Sequence, residues 1–272
     1  MSSELHITAS VIQGSALGPS LFAVTASDMH PINKGNVILK FADDTYLIIP
    51  ESLSSTSQSE LANIEQWSLD NNLKLNRNKS YEILFHPPRS PIPLSRLPSE
   101  ISGVKRVSSL KCLGVVLSHN LSISEHISNI LCSCQQSLYA LKLLRAYGLS
   151  DFNLSLIFTA IVLSRITYAS PAWRGLMNAN DHVRLESFLR KAKKVQYYKQ
   201  DSTIADIFDD LDKRLFACII SDKHHVLYKL LPNKVDHSRS MRKRTHDFML
   251  PQKTTKLDES NFMCRLLYKD IY

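Results

Sequence analysis

Two adjacent carboxylates, Asp43 and Asp44, are the side chains in this sequence whose types and spacing best fit catalysis. They separate two runs rich in β-forming residues, Val37–Phe41 and 46–49, so the pattern predicts a β-hairpin with the pair at its tip. Because both runs are nearly continuous in apolar residues, we expect a central, buried hairpin. An unpaired buried carboxylate is costly, and a divalent cation such as Mg²⁺ would relieve that cost. The alternative is a solvated surface turn, which commonly contains Asp.

A second candidate is the glycine-containing segment 13–19, which begins with Gln13, Gly14 and Ser15. Glycine lets a backbone approach a ligand closely, and the N-terminus of a following helix attracts phosphate. The segment has neither the Walker spacing nor that of dinucleotide-binding loops, so alone it gives weak support for a nucleotide site. The apolar stretch 17–29 predicts a buried helix after it.

Two clusters of cations could contact a polyanion. They are Lys191, Lys193 and Lys194 in a predicted helix, and Arg242, Lys243 and Arg244 in the polar C-terminal region. Tyr197 and Tyr198 follow the first cluster, so aromatic side chains would interleave with cations that hold the phosphates of a duplex. The alternative for that cluster is an ordinary solvated helix face. The second is interpreted as a phosphate clamp or a nuclear-targeting patch.

Charge is divided unevenly along the chain. Residues 1–90 hold 6 basic and 9 acidic side chains, whereas residues 91–272 hold 27 and 16. The positive C-terminal part favours a polyanionic partner and salt-sensitive binding. No run reaches the roughly 18–20 apolar residues of a membrane span, so we expect no membrane partner. The N-terminus lacks the basic and apolar parts of a secretion signal, which predicts an intracellular location, nuclear or cytoplasmic.

Hydrophobic periodicity predicts a mixed α/β first third followed by helices, and 44% of the 272 residues are hydrophobic, enough for a packed core. The first third adds a helix after the Ser/Thr cluster 54–59 and a short strand at 81–85, and a β-pair near 104–107 and 113–117 follows it. Five prolines between 87 and 98 predict a connector without regular structure. The helices predicted beyond it are 122–148, 151–168, 179–198 and 204–230.

Five ordered blocks resemble the reverse-transcriptase domain of non-LTR (LINE-type, jockey-like) retrotransposons. The first two are SVIQGSALGPSLF at 10–22, similar to GVPQGSVLGPLLF, and FADDTYLI at 41–48, similar to the family's YADD block. The others are NNLKLNRNKSYEILF at 71–85, KCLGVVLSHNLSISEHI at 111–127 and ITYASPAW at 166–173. One Ala-Asp-Asp tripeptide is common by chance, but five blocks in this order are specific, and they cover nearly the whole chain.

The resemblance implies an RNA-directed DNA polymerase, a nucleotidyltransferase that uses Mg²⁺, an RNA template, a DNA primer and dNTPs. Asp43 would be the metal ligand and Asp44 its supporting carboxylate in a two-metal site. Lys79, in the third block, would neutralise or protonate the leaving pyrophosphate. A solvated turn lysine is equally compatible with the position of Lys79.

The resemblance also implies contacts with the substrates. The Gln-Gly-Ser triplet at 13–15 would lie beside the template base and the incoming dNTP. Phe41 would pack near the nucleotide sugar. Leu113 and Gly114 would form the primer-grip turn, whose backbone positions the primer.

The implied fold is α+β: the C-terminal part of a polymerase palm, an antiparallel sheet with packed helices, followed by an all-helical thumb-like domain. We expect a partial palm at 1–88 and a Pro-rich connector with a primer-grip-like hairpin at 89–120. The thumb-like domain would occupy 121–231, and a basic, partly ordered tail 232–272.

The family has a further metal-binding Asp and template-gripping fingers upstream of the Gln-Gly-Ser block, and only nine residues precede Ser10. We therefore expect an N-terminally truncated domain with an incomplete two-metal site, which loses most of its rate when this chain acts alone. The alternative interpretation is a non-catalytic, nucleic-acid-binding remnant of a transposable element.

Overall fold

A computed structural model describes residues 15–87, 97–234 and 246–269 of the chain. The chain divides into two compact units, an N-terminal unit at Met1–Ser108 and a C-terminal unit at Ser109–Tyr272. The division falls inside the expected connector at 89–120. Helices and small sheets occur in both units, which is compatible with the expected α+β class.

The N-terminal unit combines short helices with two small sheets. Its elements are α1 (Gly18–Thr25), β1 (Val37–Phe41), β2 (Asp44–Ile48), α2 (Ser57–Asp70), β3 (Tyr81–Glu82) and β4 (Lys105–Arg106). Strands β1 and β2 form the predicted antiparallel hairpin. Strand β4 pairs in parallel with β3, so the predicted pairing of 104–107 with 113–117 is wrong.

One face of the β1–β2 hairpin is exposed, so the expectation of a buried hairpin is wrong for the described structure. Alternate residues of β1 and their cross-strand partners share this face, and four of its apolar side chains are 47–63% exposed. They are Val37, Leu39, Phe41 and Ile48. Helix α1, also expected to be buried, exposes Leu17, Leu21 and Val24 around it. Continuous apolar runs are typical of strands covered on both faces, and that rule misled the prediction here.

Polar contacts hold the N-terminal unit together. Glu60 of α2 is fully buried and accepts hydrogen bonds from the backbone N–H groups of Ile32 and Asn33, at 2.9 and 2.8 Å, and from Asn36 Nδ2 at 2.8 Å. Burial opposes ionisation, but these hydrogen bonds more than offset it, so the pKa of Glu60 lies below its ordinary value. The carboxylate thus ties α2 to the loop that leads into β1.

The C-terminal unit is mostly helical. Its elements are β5 (Ser109–Cys112), β6 (Val115–Ser118), α3 (Ser124–Ala146), α4 (Asp151–Ile157), α5 (Ser164–Thr167), α6 (Ser170–Trp173), α7 (Ala179–Lys194), α8 (Ile204–Ser221), α9 (Lys256–Ser260) and α10 (Phe262–Leu267). A π-helical segment, Phe158–Leu163, joins α4 to α5. The predicted helices are confirmed, although α7 and α8 end four and nine residues earlier than predicted.

The core of this unit follows the predicted periodicity. Helix α3, predicted at 122–148 from hydrophobic periodicity, buries one stripe of side chains at Ile127, Ile130, Leu131, Cys134 and Leu141. Burial raises the pKa of the Cys134 thiol to about 11. This thiol is a packing group in the core.

One helical stretch, Asp151–Leu176, is long and apolar enough by length and composition to cross a membrane, with a mean hydropathy of 1.4. The apolar runs of the sequence predict no such stretch. Leu154, Phe158, Val162 and Ile166 recur at intervals of four and are fully buried in the core of this unit. That spacing is typical of a core-facing stripe, so the stretch is weak support for a membrane span.

Part of the expected tail folds back into a second small core. Phe248, Leu266 and Leu267 are buried with Phe216 of α8, although the polar composition of the tail did not indicate a core. Ion pairs fasten this layer: the fully buried carboxylate of Asp212 lies 2.9 Å from Arg174 Nε and 3.2 Å from an Arg265 guanidinium nitrogen. The described residues 246–269 therefore belong to the C-terminal unit.

Candidate functional site

Asp43 and Asp44 lie at the tip of the β1–β2 hairpin, as predicted. Phe41 pairs with Asp44, so the turn contains two residues, Ala42 and Asp43, and Asp44 already belongs to β2. Ala42 has a φ of 50°, in the left-handed region, which costs a non-glycine residue about 1–2 kcal/mol. This tight, strained turn sets the backbone from which the Asp43 carboxylate extends.

Both carboxylates are exposed, and neither has a hydrogen bond or an ion pair within the described ranges 15–87, 97–234 and 246–269. A cation is therefore not needed to offset burial. The donor chemistry still fits Mg²⁺, which takes oxygen ligands, keeps several waters and often binds through one or two carboxylates together with substrate phosphates. Among the residues that the structure describes, no group of three or more potential metal ligands forms. The pair is a partial ligand set, open to water and phosphate.

Three other predicted site residues of the N-terminal unit are described. Ser15 is half-buried in the turn before α1. Lys79 is exposed at the end of a 3-10 turn, and its ammonium group has no partner within the described part of the chain. Phe41 ends β1 and is 63% exposed, on the same hairpin face as Asp44. All three are accessible to solvent.

The predicted primer-grip residues form the turn between β5 and β6. Cys112 pairs with Val115, so Leu113 and Gly114 are the two turn residues, with φ values of 45° and 89°. Two positive φ values in a two-residue hairpin indicate a type I′ turn, which matches the twist of the strands. The hydroxyl group of Tyr168 donates a hydrogen bond to the carbonyl oxygen of Leu113 at 3.0 Å.

The first basic cluster lies in the last turn of α7, where the helix dipole favours cations. Lys191 and Lys194 are exposed, and Lys193 is half-buried with its Nζ atom 5.9 Å from the centroid of the Tyr198 ring. Tyr197 and Tyr198 are each only 4% exposed and belong to the core. Both rings lie beside cations, Tyr197 beside Arg145 and Tyr198 beside Lys193, but they are buried and offer no surface to a nucleic acid.

Five predicted site residues lie outside the described residues. They are Gln13, Gly14, Arg242, Lys243 and Arg244.

Sequence reasoning missed two residues of structural consequence. Glu60 looks like an ordinary charged helix residue in the sequence, because its partners are backbone N–H groups of a loop that no side-chain pattern reveals. Tyr168 lies in the fifth block, 55 positions from its partner Leu113. Tyr168 and Leu113 each lie in a block that resembles the family, but the resemblance did not indicate that the two residues are in contact.

Comparison with known proteins adds to this geometry. Residues 2–117 match the family described as reverse transcriptase (RNA-dependent DNA polymerase). The chain is 33% identical over 140 residues to the RNA-directed DNA polymerase from mobile element jockey of Drosophila melanogaster, covering 47% of this chain and 15% of that relative. It is also 25% identical over 241 residues to the probable RNA-directed DNA polymerase from transposon X-element of the same species, covering 78% of this chain and 25% of that relative. No solved structure matches the chain.

The family match contains the whole β1–β2 hairpin with its carboxylate pair and ends within β6, just after the Leu113–Gly114 turn. The chain spans no more than a quarter of the length of these curated relatives. The relatives are polymerases of mobile elements, as the resemblance of the five blocks had indicated. Through residues 2–117, this chain is similar to the reverse transcriptase (RNA-dependent DNA polymerase) family, as the five ordered blocks had suggested.

Proposed function

We propose that this chain supplies the Asp43–Asp44 pair to Mg²⁺-dependent, RNA-templated DNA synthesis. The observation that carries the proposal is that both carboxylates are exposed and unpartnered within the described residues, on a hairpin that the family match contains. In this reaction the 3′-hydroxyl oxygen of the primer bonds to the α-phosphorus of a dNTP. The bond from that phosphorus to the bridging oxygen breaks, and pyrophosphate leaves.

Bound Mg²⁺ would lower the pKa of the primer hydroxyl and stabilise the negative charge that develops on the phosphates. Asp43 would hold the cation directly, and Asp44 would support it from the adjacent strand position. Lys79, with an exposed ammonium group, would neutralise the leaving pyrophosphate or give it a proton. Both carboxylates would hold the cation at the exposed tip of the hairpin, so binding needs no buried charge.

Substrate contacts complete the proposal. The triplet 13–15 would lie beside the template base and dNTP, and Phe41 near the sugar. The Leu113–Gly114 turn would position the primer, and the two basic clusters would hold backbone phosphates. In this proposal the N-terminal unit is part of a palm and the C-terminal helices form a thumb-like domain, in an intracellular protein, nuclear or cytoplasmic, without a membrane partner.

We also propose that the 272-residue chain makes DNA only at background level on its own. Transfer with two metal ions needs carboxylates beyond one pair, and the described residues place no third potential ligand with Asp43 and Asp44. Primer extension on poly(rA)/oligo(dT) with Mg²⁺ tests this, with Asp43→Ala beside the unmodified chain. Both are expected to give background incorporation. Robust synthesis that Asp43→Ala abolishes would contradict the low activity and at the same time support the role of the pair.

Binding of an RNA–DNA hybrid tests the nucleic-acid part separately. The excess of 27 basic over 16 acidic side chains in residues 91–272 predicts that affinity falls steeply as salt rises, because cations that contact phosphates release counterions. Fluorescence anisotropy between 50 and about 200 mM salt would measure the slope. Affinity that stays flat across this range would contradict the electrostatic binding.

A further inference from the structure

The turn between β5 and β6 has a strained backbone conformation, which needs contacts from the surrounding structure to stabilise it. Leu113 has a φ of 45°, a conformation that the Cβ atom of a non-glycine residue disfavours, and asparagine or glycine is the usual residue there. Such a residue persists in the left-handed region only where the surrounding structure fixes it. The contacts of this turn within the C-terminal unit are therefore informative.

Tyr168 holds the turn in two ways. Its hydroxyl group donates to the carbonyl oxygen of Leu113 at 3.0 Å, and its ring lies against Gly114. A Cβ atom at Gly114 would lie 3.0 Å from Cε1 of Tyr168, tighter than an ordinary contact. Because glycine has no Cβ atom, Gly114 permits both the positive φ of 89° and the close approach of the ring.

The backbone around Tyr168 is built to present this side chain. Helix α5 ends at Thr167, Tyr168 leaves the helical region with a ψ of 124°, and Ala169 has a φ of 50° before α6 begins. The indole Nε1 of Trp173 donates to the carbonyl oxygen of Tyr168 at 2.9 Å. Trp173 is only 1% exposed, so the buried core anchors the residue that reaches the turn.

A second connection ties the same hairpin to the same tryptophan. The backbone N–H of Val116 in β6 points at Nδ1 of His126, 3.5 Å away, and the edge of the His126 ring meets Trp173 with centroids 5.3 Å apart. Tyr168 is 56% exposed and Leu113 39% exposed, so this end of the hairpin remains open to solvent. The hairpin is thus connected to the buried Trp173, while its turn stays accessible to solvent.

We propose that Tyr168 is a positioning residue that fixes the Leu113–Gly114 turn in the conformation that receives the primer terminus. This inference rests on the proposed function, in which that turn meets the primer. A turn that visits the receptive conformation only part of the time binds more weakly in proportion to that fraction. The Tyr168 hydroxyl raises the fraction, while the phenyl ring alone only fills space beside Gly114.

Tyr168→Phe is the matched test, because it keeps the ring and removes one hydroxyl. Tyr147→Phe is the control, since Tyr147 is 88% exposed and its hydroxyl group has no partner among the described residues. Anisotropy would compare an RNA–DNA hybrid that has a recessed primer 3′ end with a blunt hybrid of equal length. Loss of one hydrogen bond predicts about fivefold weaker binding of the recessed hybrid by Tyr168→Phe. Blunt-hybrid binding and the thermal midpoint are expected to stay unchanged, and Tyr147→Phe to match the unmodified chain.

Hydrogen exchange of a peptide covering residues 112–116 provides the second readout, and Tyr168→Phe is expected to speed it severalfold. Unchanged exchange would overturn the claim that the Tyr168 hydroxyl group stabilises the turn. Faster exchange with unchanged recessed-hybrid affinity would overturn the positioning role alone, as would equal weakening on both hybrids. If the unmodified chain binds neither hybrid, the proposed function fails and the positioning role falls with it.

Discussion

The two units of this chain differ sharply in how they bury apolar side chains. Of the 28 buried apolar residues within the described ranges, only Ala26, Met29 and Ile64 lie in the N-terminal unit. The C-terminal unit holds the others, and many of them, such as Phe158 and Leu185, are fully buried. The N-terminal unit instead relies on the buried carboxylate of Glu60 and on the ammonium group of Lys40, which donates to the carbonyl oxygens of Ala26 and Met29.

The candidate site residues of the two units differ in the same way. In the N-terminal unit, the candidate carboxylates stand on a hairpin with one exposed apolar face and a strained Ala42. In the C-terminal unit, the candidate primer turn is anchored through Tyr168 and Trp173 to a dense core. Segments with few buried contacts open at low free energy, so we expect the carboxylate hairpin to be the more mobile of the two.

The largest predicted effect breaks the core of the C-terminal unit. Phe208 is 1% exposed and packs edge-on against Trp173 at 5.4 Å between centroids. Phe208→Ala is expected to lower the free energy of unfolding of this unit by about 3–5 kcal/mol, because it leaves a large cavity. Hydrogen exchange of peptides from α8 would measure the loss.

Phe41→Ala removes the same side chain from the exposed hairpin and is the matched control. Phe41 is 63% exposed, so its loss is expected to change stability by less than about 0.5 kcal/mol. If the two substitutions cost the same, the contrast in packing between the units would be wrong.

The next effect addresses the polar support of the N-terminal unit. Glu60→Gln removes a charge that accepts three hydrogen bonds and is expected to cost this unit about 1.5–3 kcal/mol at pH 7. Glu51→Gln, an exposed residue without side-chain partners in the described structure, is the control and is expected to be neutral. Exchange of the α2 amides would report both.

The contribution of Glu60 to the stability of this unit is also expected to depend on pH. The pKa of Glu60 is lower in the folded state than its ordinary value of 4.5, so the folded state binds fewer protons than the unfolded state. Its contribution to stability is fully present above that ordinary value and is lost as pH falls through the folded pKa. The gap between the unmodified chain and Glu60→Gln should narrow on acidification, and a constant gap would contradict the ionised, hydrogen-bonded carboxylate.

The smallest effect concerns the turn that carries Asp43. Ala42→Gly should stabilise the hairpin by up to about 1 kcal/mol, since glycine accepts a φ of 50° without steric cost and its extra freedom in the unfolded chain opposes part of the gain. Exchange of the β1 and β2 amides would measure it. Marked destabilisation would show that Ala42 does not occupy the left-handed region.

The helices of the C-terminal unit were largely predictable from sequence, because their hydrophobic periodicity indicates which face is buried. Ile127, Ile130 and Cys134 recur at helical spacing, and a helix with such a stripe has one way to bury it. The predicted ends of α7 and α8 were less accurate. The helices end at the C-cap residues Val195 and Asp222, whose positions depend on local hydrogen bonds.

The N-terminal unit was predictable only in part. The hairpin and its carboxylate tip follow from the two β-rich runs, but the burial of those runs does not, because the same apolar pattern fits a covered or an open strand. The parallel pairing of β3 with β4 links Tyr81 to Lys105 across a proline-rich segment, and no local pattern encodes that register. Contacts such as Tyr168 with Leu113 are likewise products of the fold.

The central claim is that Asp43 and Asp44 hold a divalent cation, and localised oxidative cleavage tests it most directly. Fe²⁺ takes the place of Mg²⁺, and with ascorbate and peroxide it generates radicals that cut the backbone next to the bound metal. Mass spectrometry of the unmodified chain is expected to map cleavage to the hairpin around residues 41–46, with loss of that cleavage in Asp43→Asn/Asp44→Asn and its retention in Asp28→Asn. Cleavage elsewhere, or at the hairpin in all three proteins alike, would contradict the account.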